Sequence, residues 1–483
     1  MLRLALTAVL VVAGSVSLVA QPRPSVDAEA SRVYVQGTAH EARRELAEAA
    51  GAYEAAVALD PRFAAAHDRL GFVYGLQGRT AEAIAQFERA CALDPALFDA
   101  HYHLGATLWW TRQSGRAREV LTTAVRLKPE HAEARYYLGL ALKSEGNLLA
   151  AIEELETSVR LDPRIPASAL QLGIALKDAG DAEGAIVQLR RAVELDPRSA
   201  EARNALGLAL LQHGDGDEAT DTFRRLVESD PDFHSGRLNL GTTLMQRGDL
   251  EGAAAVLREL VARDPSNAAA HYNLGVTLKQ RDDFAGAEVS LRQAMLLSAT
   301  LPDAPFTLGV VLWQTGRPEH AVDAFRRAIA IRPDYDEAHY MLGTVLRQLG
   351  QGDAALAAFR EAIRLRPESA ESYLSLGQLL QQRGDRDGAS SAFEEARRLN
   401  QKKADVQAST FAVGVGRARI NDGDVTGAID EFKRAIALAG DNFEAHYELS
   451  KAFAALKRMK ESRAHLDEAR RLAPHLRFKE PGS

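Results

Sequence analysis

Cysteine is almost absent: Cys91 stands alone in 483 residues, so no internal disulfide can brace the fold. Aromatic residues make up only 6% of the chain. Positive charge is not in surplus, since 59 lysines and arginines face 66 acidic residues for a formal net charge of -7, and a general nucleic-acid binder needs a basic excess to meet phosphates. Beyond Leu4–Ala20 no apolar run is long enough to cross a bilayer. Catalytic signatures are missing too. No H-E-x-x-H occurs, and His101 and His103 are two positions apart, which puts them on different helix faces. Gly414 and Gly416 lack a third glycine and a preceding strand, so they make no dinucleotide loop. Asp422, Asp424 and Asp430 fall around an ordinary turn rather than a calcium loop, and Cys91 has no base at readable spacing. Neither a cofactor nor a metal is expected, and the chain reads as a non-enzyme.

What the chain has is a period. Gly71, Gly105, Gly139, Gly173, Gly207, Gly241, Gly275, Gly309, Gly343 and Gly377 stand 34 residues apart, each preceded by leucine. In rows of 34 with these glycines at position 8, alanine fills position 20 from Ala49 and Ala83 through Ala389 and again at Ala428. Position 24 is aromatic or leucine, as in Tyr53, Phe87, Leu121, Phe223 and Phe432, and position 32 is mostly proline, as in Pro61, Pro95 and Pro129.

Each row contains two runs with apolar residues at helical spacing, such as Leu70, Val73 and Tyr74 followed by Ala83, Phe87 and Ala90. A glycine followed by a polar residue separates the runs, as in Gly78-Arg79 and Gly180-Asp181. The glycine suits a left-handed helix end and the polar residue suits the opening of the next helix. Asp-Pro at the row's end, as in Asp60-Pro61, stops the second helix because the residue before proline is pushed out of the helical region. Small residues at positions 8 and 20 let the two helices approach, and the bulky position 24 is expected to fill the gap to the next pair. A single hairpin cannot bury its apolar face; stacking does so, and stability becomes roughly a sum of nearest-neighbour contributions.

The L-G, A-x3-F and P spacing resembles the tetratricopeptide repeat. The resemblance implies an all-α, right-handed solenoid superhelix of about thirteen helix-turn-helix repeats. Eleven contiguous repeats occupy residues 30–403, an insertion 404–408 follows, two further repeats fill 409–476, and a tail 477–483 closes the chain, leaving no room for a separate catalytic domain. The insertion, where Gln401 replaces the expected proline, is compatible with a hinge, a longer helix or a lengthened loop. A second irregular join lies near Ala299, where proline is displaced to Pro302 and Pro305. Residues 1–20 combine Arg3, the uncharged run Leu4–Ala20 and a small residue at Ala20, which reads as a signal peptide, with an N-terminal membrane anchor as the alternative; 21–29 would be a linker. The mature chain is then expected to be exported, periplasmic or extracellular, with no membrane span, and removal of Arg3 shifts its charge from -7 to -8.

The resemblance also implies that positions 2, 5, 9, 12 and 13 of the first helices face a concave groove. In repeats 2 to 5 these give Phe72, Leu76, Trp109 and Trp110 with Lys143 and Lys177 next along, which suits a peptide with a hydrophobic anchor and an acidic flank. A second patch is Lys279, Trp313 and Arg347 at position 12 of three successive repeats. Position 13 reads Gln212, Gln246, Gln280, Gln314, Gln348 and Gln382, amides able to hydrogen-bond a peptide backbone without regard to its sequence. His67, His101, His271, His339 and His446 share position 4, where the family carries a packing aromatic, and are expected to be structural. The family's carboxylate clamp for chaperone tails would need lysine and asparagine at positions 5 and 9, where Tyr102, Tyr136, Leu140 and Ile174 stand. The asparagine ladder of its sugar-transferring enzymes would need position 6, which only Asn239 and Asn273 supply. The expected function is a scaffold that holds a protein or peptide partner, for example within an envelope assembly. The alternatives are an accessory subunit that binds glycan or supports an enzyme in trans, and self-association through the last repeat.

Overall fold

The computed structural model describes residues 28–474, Leu476 and 478–480. The segment read as a signal peptide, and nearly all of the linker after it, lie outside the described residues. Twenty-five helices and no strands are present among them. Within each of two compact units, one ending at Asp264 and the other beginning at Pro265, the helices pair as antiparallel hairpins that stack in chain order as an α-solenoid.

Repeat 2 shows how the residues make the hairpin. Its first helix, Ala64–Leu76, ends in a turn closed by Arg79 N–H donating to Tyr74 C=O at 2.9 Å. The turn residue, Gly78, has φ 80°. All thirteen repeats put a left-handed residue at this position: nine glycines and, in the other four, Arg44, Arg112, Asp282 and Lys457 with φ near 60°. The second helix, Thr80–Leu93, stops at Asp94, whose extended ψ of 89° precedes Pro95. Where aspartate follows the glycine it caps the second helix, as Asp181 does by accepting the Gly184 N–H at 2.9 Å and Asp249 the Gly252 N–H at 2.9 Å.

The glycine at position 8 is there for closeness. A Cβ on Gly71 would lie 2.9 Å from the ring of Phe87, and one on Gly309 would lie 2.7 Å from Phe325. The bulky residue at position 24 therefore lies over the glycine of its own hairpin, rather than chiefly filling the gap to the next pair. Phe87, Leu121, Leu155, Leu189, Phe223, Phe325 and Phe359 are all fully buried in this way.

The two irregular joins resolve differently. Pro302 and Pro305 sit at the start of Asp303–Gln314, where a helix has no N–H bond to lose. The 404–408 segment is not a loop. It lies inside one uninterrupted 36-residue helix, Arg386–Asn421, that serves as second helix of repeat 11 and first helix of repeat 12. With glutamine in place of proline at 401 nothing stops the helix, and five extra residues complete the turns that would otherwise have been a loop. At the chain's end Phe478 packs on Tyr447, ring centroids 5.0 Å apart, and Glu480 pairs with Arg470 at 2.8 Å. The tail thus covers part of the last repeat's open face, where the sequence suggested self-association.

Candidate functional site

The first patch is more internal than its sequence positions suggested. Phe72 is a core residue, 7% exposed, wedged between the Arg69 guanidinium 4.5 Å above its ring and the His103 ring 5.1 Å away. Phe72 sits one turn after Asp68, which pulls the next repeat onto it through Asp68 Oδ1 and His103 Nδ1, 2.9 Å apart and both buried. Leu76, Trp109 and Trp110 are half-buried against the same core. Trp109 meets Trp110 edge-on at 4.8 Å and Tyr137 at 5.9 Å. Lys143 donates to Gln171 Oε1 at 3.3 Å, and burial holds its ammonium below its ordinary pKa. Lys177 is neutralised by its neighbour Asp178 at 2.7 Å.

The second patch is open. Trp313 and Arg347 end the first helices of repeats 9 and 10, Asp303–Gln314 and Asp336–Gln348. They line a shallow cavity of about 530 Å³ together with Thr344, Gln348, Gln378, Gln381 and Gln382. Trp313 Nε1 donates to Gln348 Oε1 at 2.7 Å, and Arg347 Nη1 donates to Gln378 Oε1 at 2.6 Å. Both large side chains are therefore held by an amide of the following repeat. Among the described residues no carboxylate lines the cavity, and Arg347 is the charged group of its lining. Lys279, one repeat earlier, is half-buried at the end of Ala268–Gln280 and is not among the lining residues.

The six glutamines of position 13 are all exposed. Two of them reach back to position 12 of the preceding repeat: Gln348 to the Trp313 indole, and Gln212 Nε2 to the Lys177 carbonyl at 3.1 Å. Gln348 and Gln382 belong to the cavity; for Gln246, Gln280 and Gln314 the structure shows exposure alone. The sequence reading missed Thr344, Gln378 and Gln381. Their signal was present, since they occupy positions 9, 9 and 12, but a polar residue there carries no aromatic or charge to draw notice.

The position-4 histidines have a common partner. His67, His101, His271 and His339 each place Nε2 3.0–3.2 Å from the carbonyl of the proline six residues earlier. Arg135 and Arg237 donate to the same carbonyl in their repeats, at 2.7 and 3.0 Å. In these six repeats position 4 ties the first helix to the loop that precedes it. Cys91 is half-buried and burial pushes its thiol up to about 12.

An array of helical hairpins repeating every 34 residues defines a helical repeat protein. Family models agree along most of it: Tetratricopeptide repeat matches residues 100–164, 170–232 and 413–476, TPR repeat matches 76–109, and Cilia and flagella-associated protein 70 C-terminal domain matches 211–413. The chain belongs to the tetratricopeptide-repeat family. Among solved structures it is similar to MamA, at 30% identity over 34% of this chain and 96% of that one, TM-score 0.33. It is similar to YrrB, described as a TPR protein with an unusual peptide-binding site, at 21% identity over 39% and 96%, TM-score 0.36. A tetratricopeptide repeat protein from Parabacteroides merdae shares 15% identity over 52% and 98%, TM-score 0.42. No match was found among curated proteins. The family's architecture is consistent with a protein–protein interaction scaffold, and no helix among the described residues is long and apolar enough to cross a membrane.

Proposed function

We propose that this chain is a non-catalytic scaffold that grips an extended peptide segment of a protein partner at the Trp313–Arg347 cavity. The observation that carries the reading is preorganisation: an indole and a guanidinium, both fixed by amides of the next repeat, flank an open, carboxylate-free cavity. Side chains already ordered in the free protein lose little entropy on binding. The indole face suits an apolar anchor, Arg347 an acidic side chain beside it, and Gln378, Gln381 and Gln382 the peptide backbone. The same amides beside an indole also suit a sugar, which supports glycan binding as the second reading. Export to an envelope compartment, as part of an assembly there, belongs to the same proposal and rests on Leu4–Ala20.

Selection of peptides from a random library on the purified chain tests the assignment. Enriched peptides are expected to place an acidic residue next to an aromatic or branched one, and Trp313→Ala with Arg347→Glu is expected to abolish their binding while helicity is unchanged. Binding that survives the double variant would remove the cavity from the account, and retention of oligosaccharides without peptide enrichment would favour the glycan reading.

A further inference from the structure

The 36-residue helix Arg386–Asn421 carries a second interaction surface. Ala404, Ala408, Phe411, Val415 and Ala418 recur at spacings of four and three, the period of a coiled-coil seam. All but the half-buried Val415 are exposed, and Phe411 is 73% exposed. The exposure follows from the fused helix. Phe411 holds position 3 of repeat 12, and at position 3 Ala66, Ala100, Ala134 and Ala338 are fully buried, where the preceding hairpin stacks on them. A phenylalanine would not fit that stacking, and the uninterrupted helix leaves no hairpin against it.

We infer that this seam pairs with the same seam of a second copy of the chain, antiparallel, about a two-fold axis at Phe411. The surface is self-complementary, as a two-fold contact requires. Phe411 is a large knob, while Ala408 and Gly414 leave the hole: a Cβ on Gly414 would meet nothing within 4 Å. Charge selects the direction. Antiparallel pairing sets Asp405 across from Arg419 of the copy, twice by symmetry, whereas parallel pairing would leave both opposite uncharged residues. Both side chains lie at the seam's edge and already have partners in the single chain, Asp405 bonded to Gln401 at 2.8 Å and Arg419 paired with Asp424 at 2.9 Å and Glu431 at 3.8 Å, so the contact across the axis is shared with these pairs. The seam is roughly 21 Å long at 1.5 Å per residue. That is short of a standard interface, so the dimer is expected to be weak, with Kd on the order of micromolar.

Sedimentation velocity over a concentration series tests the inference on the purified chain. The wild type is expected to shift from one chain to two, and Phe411→Glu to stay at one chain with an unchanged circular dichroism spectrum. Phe411→Cys, placed on the axis, is expected to link to its own copy under mild oxidation, while Thr410→Cys, pointing away from the seam, is not; Cys91 is half-buried and its thiol is expected to stay silent. A chain that remains single at every concentration, a dimer that survives Phe411→Glu, or equal linking at 410 and 411 would each overturn it.

Discussion

Single residues in this molecule act through backbone conformation and close contact. Arg112 holds φ 61° at a turn where nine repeats use glycine. A side chain there costs about 1–2 kcal/mol. Arg112→Gly, which also frees the unfolded chain, is expected to raise stability by about 0.5–1 kcal/mol in chemical denaturation. Gly309→Ala does the reverse, because its methyl would meet the Phe325 ring at 2.7 Å; overpacking of this kind costs about 1–3 kcal/mol, readable as an earlier denaturation midpoint. Histidine sets the acid limit. His131 opens the first helix of repeat 4 by accepting the Ala134 N–H at 3.1 Å, and burial, reinforced by Lys128, holds its pKa down at about 4. The unfolded chain therefore takes up this proton first as pH falls. Stability attributable to the neutral ring is full above 6.5 and is lost between 6.5 and about 4, by at most about 3 kcal/mol before solvent screening. His101 and His465 shift the same way, by burial first. Denaturation midpoints at pH 7.5 and 4.5 are expected to differ by less in His131→Asn, which keeps the cap without the proton; an unchanged difference would remove His131 from this role.

At the scale of elements, the hairpins were legible because the sequence writes their stops. Gly78 marks the end of Ala64–Leu76, and Asp94-Pro95 the end of Thr80–Leu93. The fused helix was harder to see, since Gln401 announces only that a stop is missing; whether five polar residues continue a helix or widen a loop depends on what flanks them. Proline introduced two residues beyond Gln401 should separate the two readings of the segment's role. Lys403→Pro, inside the exposed middle of Arg386–Asn421, removes a helical hydrogen bond at a cost of about 3 kcal/mol. Faster amide exchange is expected around residues 399–406, with protection in Val425–Leu438 retained. Loss of protection throughout repeats 12 and 13 would mean that the continuous helix, rather than their own packing, holds those hairpins folded.

At the scale of the whole molecule, function depends on which first-helix faces stay open, and this was only half legible. Trp109 and Trp313 look alike in sequence, each at position 12 with a cation at position 12 of the next repeat. The structure separates them because Tyr137 and Trp110 cover one, whereas a shallow cavity lies beside the other. One of the two covering rings, Tyr137, comes from the next repeat, and the 34-residue pattern does not record that contact. The three tryptophans make the central claim directly measurable. With Trp109 and Trp110 replaced by phenylalanine, Trp313 is the sole indole, and a peptide carrying an acidic and an apolar residue is expected to change its emission with a saturable dependence that Arg347→Glu removes. Saturable binding that leaves the emission of Trp313 unmoved would contradict the claim that this cavity is where the scaffold holds its partner.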